Sequence, residues 1–192
     1  MTLPRRTAII PARGGSQRIP RKNIKPFFGK PIICYSIETA RASGLFNLIL
    51  VSTDDDEIEE IALAAGAVVM RRKYDDGTQG TQEVAQKVLE QMPDVKTACV
   101  IYATCPLLAP RDLAAGLVAL GYPNKQFAMS VDPNGRDAGC FYWGKADAFR
   151  DDLKLDAPHT ARVELPASRV CDINFPSDWA RAESMYQALR RA

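Results

Sequence analysis

A cluster of cations around two glycines is the part of the chain whose residue types best suggest chemistry. Glycine lets backbone N–H groups approach a ligand closely, and clustered Arg and Lys offset several phosphate charges at once. No Asp or Glu occurs from residue 1 to residue 37, although the chain carries 23 acids. The pattern predicts a cradle for a polyphosphate, built from Arg13, Gly14, Gly15, Arg18, Arg21, Lys22 and Lys25.

The charge balance of the whole chain narrows the kind of ligand. With 25 Lys and Arg against 23 acids, the net charge is only +2. A general nucleic-acid-binding surface is therefore not expected, whereas a local site for one anionic ligand is. The five cysteines show neither CxxC nor Cys/His ligand spacing. We accordingly expect neither a disulfide framework nor a zinc site.

Length and hydropathy bound the architecture and the location of the protein. A chain of 192 residues with 46% hydrophobic content can bury one sizeable core, so a single domain over residues 1–192 is expected. No stretch approaches the ~20 apolar residues of a membrane span, and the first residues lack a signal-peptide run. We expect a cytoplasmic protein with no membrane partner.

Apolar runs alternate with helical patterns along most of the chain. Strands are predicted at residues 7–11, 48–53, 66–70, 98–102, 127–131 and 139–143, and helices at 31–43, 54–65, 81–92, 110–120 and 178–190. A turn is predicted at residues 75–78. Strands that alternate with helices are typical of an α/β fold with a mostly parallel sheet between helical layers.

The carboxyl ends of the first four predicted strands carry polar or charged groups. Such ends meet at one edge of an open parallel sheet, which is where ligands bind in these folds. We therefore expect the basic loop, residues 52–55, Arg71 with Arg72, and residues 103–106 to share one rim. Neither the P-loop pattern nor the dinucleotide pattern occurs in the loop, so a nucleotidyltransferase-like site remains.

Simpler interpretations exist for two of these features. The basic loop could be an ordinary solvated connection, although five cations around two glycines make this the weaker hypothesis. The acids at residues 54–57 are more typical of a helix start than of a metal site.

Several motifs together resemble one enzyme family, the acylneuraminate and nonulosonic acid cytidylyltransferases, and most closely its members that act on pseudaminic acid. The resemblance runs almost from end to end. It rests on residues 9–16, 18–26, 29–32 and 51–55, on Tyr102, Thr104 and Pro106, and on residues 137–139, 141–143, 169–170 and 172–173.

This resemblance implies a three-layer Rossmann-like nucleotidyltransferase fold and the transfer of CMP from CTP to a nonulosonic sugar acid, with Mg²⁺ as the divalent metal. It implies catalytic roles for Arg13, Lys22 and Asp172. The implied nucleotide-binding residues are Ala12, Arg13, Gly14, Gly15, Ser16, Arg18, Arg21, Lys22, Asn23, Arg71 and Thr81. Substrate contacts are implied for Tyr102 and Thr104, and metal contacts for Asp172 and Asn174.

The chain departs from the family pattern at positions of this implied site. Gln17 replaces a usual lysine, and Asn174 replaces one of two metal-facing carboxylates. Cys140 and Cys171 stand where glutamines are usual, and Ala103 and Cys105 flank Thr104. Between residues 131 and 137 a five-residue link replaces a substantial insert, which weakens the expectation of a homodimer. Its Pro and Asn-Gly predict a turn between neighbouring strands.

Three functions remain open at this point. The first is an active cytidylyltransferase for a sugar acid of pseudaminic or sialic type. The second is a degenerate paralogue that binds nucleotide but transfers poorly. The third is a nucleotidyltransferase with a different acceptor or nucleotide.

Overall fold

Alternating strands and helices form the computed structural model, which describes residues 5–73 and 78–191. The strands are β1 Arg6–Pro11, β2 Pro26–Phe27, β3 Lys30–Pro31, β4 Leu48–Thr53, β5 Val68–Arg71, β6 Thr97–Ile101, β7 Phe127–Val131, β8 Asp137–Lys145 and β9 Thr160–Glu164. The helices are α1 Ile32–Ala42, α2 Asp56–Ala64, α3 Thr81–Glu90, α4 Pro110–Leu120, α5 Ala146–Arg150 and α6 Pro176–Arg191, and a 3-10 turn covers Ala167–Arg169.

Seven strands form the central sheet in the order β5-β4-β1-β6-β8-β7-β9. β5, β4, β1 and β6 are parallel neighbours, and β7 pairs in parallel with β9. β8 is inserted antiparallel between β6 and β7. The sheet is thus mostly parallel, as the sequence predicts, and the carboxyl ends of β1, β4, β5 and β6 share one edge.

Helices cover both faces of the sheet. Apolar side chains of α1, α2 and α4, such as Ile37, Ile58 and Leu113, are buried in one core cluster. Those of α3 and α5, such as Val88 and Phe149, are buried in a second cluster. The two clusters give the three-layer arrangement. α6 contributes to a smaller cluster, in which Trp179 packs near Phe27 and α1.

Local sequence explains where several of these elements begin. Pro110 occupies the first position of α4, where its missing N–H costs no hydrogen bond. Asp55 caps α2, because its carboxylate accepts a hydrogen bond from the Ile58 N–H at 3.0 Å. The strands β4 and β7 coincide with the predicted apolar runs.

Four features of the fold were not predicted from the sequence. These are β9, the five-residue α5, the small β2–β3 hairpin and the 3-10 turn at Ala167–Arg169. β9 lies at a sheet edge, and exposed Arg162 and Glu164 interrupt its apolar pattern. The strand predicted at 66–70 lies at Val68–Arg71, and α3 ends at Glu90, two residues before the predicted end. Residues 75–77 of the predicted turn lie outside the described residues.

The short connection between β7 and β8 is a turn, as its sequence predicts. The Asp132 N–H donates to the Arg136 carbonyl at 2.7 Å, and the Asp132 carboxylate accepts from the N–H groups of Asn134 and Arg136. Gly135 has a φ of +75°, which favours glycine. The flanking strands pair directly, so the sheet is intact without an insert at this place.

All five cysteines are buried, and none is joined to another in a disulfide bond. In the described part of the chain, no helix combines the length and the apolar character that crossing a bilayer requires.

Candidate active site

A cavity opens at the shared edge of the sheet, above the carboxyl ends of β1 and β6. The β1–α1 loop supplies one wall, with Arg13, Ser16, Gln17, Arg18, Lys22 and Asn23. The opposite wall comes from the segment after β5 and the start of α3, with Arg72, Gln79, Thr81 and Val84. Tyr102, Ala103 and Thr104 from the end of β6 lie between these walls, and Asn174 closes one side.

Gly14 holds the basic loop close to the end of β4. Its N–H donates to the Asp54 carboxylate at 2.9 Å. A Cβ atom at residue 14 would lie 2.3 Å from the Asp55 Oδ2, so a larger residue would displace this carboxylate. The glycine therefore serves close packing of the loop against the β4–α2 connection. Gly14, Gly15 and the buried Ala12 lie beneath or beside the cavity and are not among the residues that line it.

Arg21 is directed away from the cavity. Its guanidinium forms an ion pair with the carboxylate of Asp55 and a second one, at 2.6 Å, with Glu57. These bonds raise the pKa of Arg21, and the hydrogen bond from Arg21 lowers the pKa of Asp55. The acids at the start of α2 thus cap the helix and anchor the loop, as the helix-start interpretation expects. Arg21, predicted to contact the triphosphate, is placed outside the lining residues.

Asn23 stabilises the conformation of the loop through hydrogen bonds. Its side-chain Nδ2 donates to the Arg13 carbonyl at 2.9 Å, and the backbone carbonyl of Asn23 accepts from the Ile33 N–H at 3.1 Å. The side chain is buried, so this bond fixes the backbone of Arg13 relative to α1. Arg13, Ser16 and Asn23, three of the predicted nucleotide-binding residues, all line the cavity.

Arg18 and Lys22 connect the loop to the segment before α6. The guanidinium of Arg18 donates to the Asn174 Oδ1 at 3.2 Å, and the Lys22 Nζ donates to the Ile173 carbonyl at 2.7 Å. The Asn174 amide in turn donates to the Asp172 carboxylate. The two residues predicted as metal ligands are thus adjacent, and both lie beside two predicted phosphate ligands.

The environment of Lys22 is unusual for a lysine. Burial lowers the pKa of its ammonium below the ordinary value of 10.5, and the cations Arg18 and Arg13 act in the same direction. Asp172 opposes them and raises the pKa. A bound anion would favour the charged form of Lys22 in the same way. The site therefore concentrates positive charge that a polyanion would stabilise.

Two consecutive arginines, one at the last position of β5 and one directly after it, have different surroundings. Arg71 forms ion pairs with Asp56 at 2.8 Å and with Glu59 at 3.3 Å, and it does not line the cavity. Arg72 does line it, and donates to the Gln79 Oε1 at 3.2 Å. Both arginines were expected at this rim, but only Arg71 was assigned to the nucleotide, and Gln79 was not among the expected residues. Strand alternation, which directs neighbouring side chains to opposite sides, was the available signal.

A buried ion pair fixes the segment that carries Asp172 and Asn174. Arg169 donates from Nε and Nη2 to the two carboxylate oxygens of Asp112, at 2.9 and 2.7 Å. The side chains are 10% and 6% exposed, and Asp112 also accepts from the Ala109 N–H at 2.9 Å. Residues 170–174 are consequently tied to the start of α4 at one end.

Asp178 fixes the other end of this segment. Its carboxylate accepts from the N–H groups of Asn174 and Phe175, at 3.0 and 2.8 Å, and both bonds lower its pKa. Asp178 thus holds the turn into α6, while Asp172 is exposed next to Gly139.

The donor groups suit a divalent ion that is shared with phosphates. Among residues 5–73 and 78–191, no three His, Cys, Asp or Glu side chains lie close enough together to hold a metal by themselves. Asp172 with the amide oxygen of Asn174 offers two hard oxygen donors. Mg²⁺ commonly uses one or two protein carboxylates plus substrate phosphates and water, so these residues fit such an ion only together with a nucleotide.

Comparisons with known proteins show which family the chain resembles. The cytidylyltransferase family model matches residues 7–137. Pseudaminic acid cytidylyltransferase of Campylobacter jejuni strain 81-176 is 34% identical, over 93% of this chain and 95% of its own length. That alignment runs over 220 positions, so it includes stretches of the relative that have no counterpart in this shorter chain.

A vertebrate relative and a solved structure give the same result. N-acylneuraminate cytidylyltransferase B of Danio rerio is 37% identical over 93% of this chain and half of its own length. The structure of CMP:2-keto-3-deoxy-manno-octonic acid synthetase in complex with CTP has a TM-score of 0.79 at 16% identity, covering 96% of this chain and 99% of that one, which shows the shared fold. The family match, the sequence relatives and the fold lead to one conclusion: this chain belongs to the cytidylyltransferase family.

Proposed function

We propose that this chain, as a single domain, transfers CMP from CTP to a nonulosonic sugar acid of pseudaminic or sialic type and releases pyrophosphate. The observation that carries the proposal is the convergence of Arg13, Arg18 and Lys22 on a cavity at the carboxyl ends of parallel strands. Family membership and the full-length match to a pseudaminic acid cytidylyltransferase support CTP and this class of acceptor.

Arg13, Ser16, Arg18 and Lys22 bind the triphosphate in this proposal. The anomeric hydroxyl oxygen of the sugar acid bonds to the α-phosphorus and its proton passes to water, while the bond from the α-phosphorus to the bridging oxygen breaks and pyrophosphate leaves. Negative charge on the transferring and leaving groups is stabilised by cations that are already in place, since Lys22 is held by the Ile173 carbonyl. Rate enhancement then comes from positioning and electrostatics, with no covalent intermediate.

Asp172 and the amide oxygen of Asn174 would hold a divalent metal, which we assign as Mg²⁺. When bound, the ion neutralises phosphate charge. Arg18 competes for the same Asn174 oxygen, because it already donates to it. The metal half of the site is therefore weaker than a pair of carboxylates would be.

Tyr102 and Thr104 line the cavity, and in this proposal they lie between the nucleotide and the sugar acid. The sugar acid is expected to approach from β8, where Gly139 lies beside Asp172. Because the β7–β8 turn is short, no insert from this connection covers that side. We therefore propose no dimer contact at this turn.

We also propose a cytoplasmic location, because the reaction needs a supply of CTP.

Pyrophosphate release tests the proposal directly. The purified chain is incubated with CTP, Mg²⁺ and a panel of nonulosonic acids, with UTP, GTP or ATP plus sugar phosphates as parallel reactions. Turnover that requires CTP and a sugar acid supports the proposal. Turnover with another nucleotide and a sugar phosphate contradicts it.

A second function, nucleotide binding without efficient transfer, is favoured by one observation. Because residue 174 is an asparagine, Asp172 is the single carboxylate of the proposed metal site. The side-chain oxygen of Asn174 already accepts a hydrogen bond from Arg18. CTP binding measured by calorimetry, with no pyrophosphate formed from any acceptor in the panel, would establish this second function in place of the first.

A further inference from the structure

Four side chains form a row of hydroxyl and carboxylate groups that ends in the cavity. The Tyr142 hydroxyl donates to the Asp137 Oδ2 at 2.5 Å. The hydroxyls of Tyr102 and Tyr142 lie 3.4 Å apart, and the Thr81 Oγ1 donates to the Tyr102 hydroxyl at 3.2 Å. Asp137 is itself fixed, because its other oxygen accepts from the Gly139 N–H at 2.8 Å.

The carboxylate of Asp137 sets the direction of every hydrogen bond in this row. A carboxylate only accepts hydrogen bonds, so Tyr142 donates its single hydroxyl proton to Asp137. Tyr142 can then only accept from Tyr102, and Tyr102 can only accept from Thr81. The Thr81 proton is therefore directed inward as well. What Thr81 presents to the cavity is an oxygen lone pair, which binds a hydrogen-bond donor.

Burial keeps the two phenols in their neutral, donating form. Tyr142 is 6% exposed and Tyr102 is half-buried, and burial raises the pKa of both hydroxyls above the ordinary value of 10.0. The direction of the row is accordingly constant across the pH range in which an enzyme of this kind is assayed.

Thr81 lies on the part of the cavity that suits a nucleobase. It begins α3, on one face of the sheet, whereas Lys22 contacts the segment before α6, which includes Asn174, on the other face. Next to Thr81, Val84, Pro11 and the Tyr102 ring offer apolar surface for a flat heterocycle. The phosphates belong with Arg18 and Lys22, which leaves the base near Thr81.

We propose that Asp137 and Tyr142 are positioning residues for base selection, because they make Thr81 an acceptor for the exocyclic amino group of cytosine. Uracil carries an oxygen at that position, so two acceptors would face each other. The inference rests on the proposed use of CTP and adds the physical origin of its selectivity over UTP.

The test compares kcat/KM for CTP and UTP in Tyr142→Phe and Asp137→Asn. Tyr142→Phe removes one hydroxyl and leaves the ring in place, which frees the Tyr102 proton to turn toward Thr81. We expect the CTP/UTP ratio to fall about tenfold, the size of one hydrogen bond. Asp137→Asn, whose amide can accept or donate, should lower the ratio by a smaller factor.

Tyr35→Phe is the matched control. It also removes a buried hydroxyl with a hydrogen bond, here 2.7 Å to the Phe27 carbonyl, but it lies outside the cavity. It should leave the CTP/UTP ratio unchanged even if it lowers the melting temperature. Thermal unfolding of each variant separates loss of structure from loss of selectivity.

The remaining outcomes separate this inference from the proposed function. If the wild-type chain selects CTP and both row variants keep the full ratio, the inference is wrong while the function stands. If the variants change only the CTP/dCTP ratio, Thr81 faces the ribose, and the inference is again wrong. If the wild-type chain shows no preference for CTP in turnover or binding, the proposed function fails first.

Discussion

The guanidinium of Arg18 donates a hydrogen bond to the side-chain oxygen of Asn174, a residue 156 positions later in the chain. This bond joins the basic loop after β1 to the segment that carries Asp172. It also uses the atom through which Asn174 would bind a metal. Residue 174 therefore affects both the position of Arg18 and the strength of the proposed metal site.

Restoring a carboxylate at this position should strengthen the metal half. In Asn174→Asp, the new charge lies beside Asp172 and provides a second anionic ligand. We expect the Mg²⁺ concentration for half-maximal pyrophosphate release to fall about tenfold. Asn134→Asp adds the same charge in the exposed β7–β8 turn and is the control. An Asn174→Asp enzyme with unchanged metal dependence and turnover would refute a two-ligand metal site at 172 and 174.

Removal of the Lys22 ammonium should weaken nucleotide binding. Charge-assisted hydrogen bonds contribute about 1.5–3 kcal/mol, so Lys22→Ala is expected to raise the Kd for CTP by tenfold or more. Calorimetric titration measures this. Lys25→Ala removes a nearby lysine that instead stacks on Trp179, 4.4 Å from the ring centre, and should change the Kd little. Equal Kd values for the two variants would argue against the cradle.

Nucleotide binding should take up protons at alkaline pH. The pKa of Lys22 is lowered in the free protein by burial, so part of this side chain is neutral as pH rises toward the ordinary lysine value of 10.5. Bound phosphates favour the charged form and raise the pKa again. CTP affinity should therefore decrease as pH rises through the free-state pKa of Lys22. Calorimetry in buffers of different ionisation enthalpy measures the uptake, which Lys22→Ala should abolish.

The neighbours Arg71 and Arg72 should respond differently to substitution. Arg72 lines the cavity, whereas Arg71 is neutralised by Asp56 and Glu59. We expect Arg72→Ala to raise the Kd for CTP about tenfold and Arg71→Ala to leave it within about twofold. A larger effect from Arg71 would mean that the nucleotide reaches past the end of β5 and displaces these ion pairs.

Loss of the buried Arg169 charge should destabilise the fold. Arg169→Gln leaves Asp112 buried without its bidentate partner, which typically costs about 3–5 kcal/mol of unfolding free energy. Urea unfolding measures the change. Arg162→Gln removes a comparable but exposed pair with Asp156 and should cost less than about 1 kcal/mol. Similar losses for both variants would contradict a structural role for the buried pair.

Local pattern was enough to predict most of the fold. The apolar run at residues 48–53 and the proline at the start of α4 fix element boundaries through short-range effects, namely strand burial and a missing N–H. β9 escaped prediction because an edge strand needs little apolar sequence, and its pairing with β7 is a long-range contact. The five-residue α5 is too short to show a helical period.

The sequence by itself also determined where positive charge is concentrated, since eight cations without an acid precede residue 38 and a basic loop follows the first strand. Only the tertiary structure decided which cations remain for the ligand. Arg21 pairs with Asp55 and Glu57, while Arg18 donates to Asn174 and Lys22 donates to the Ile173 carbonyl. The physical reason is that elements form from neighbouring residues, whereas the charge that a cavity presents depends on partners that only folding brings close.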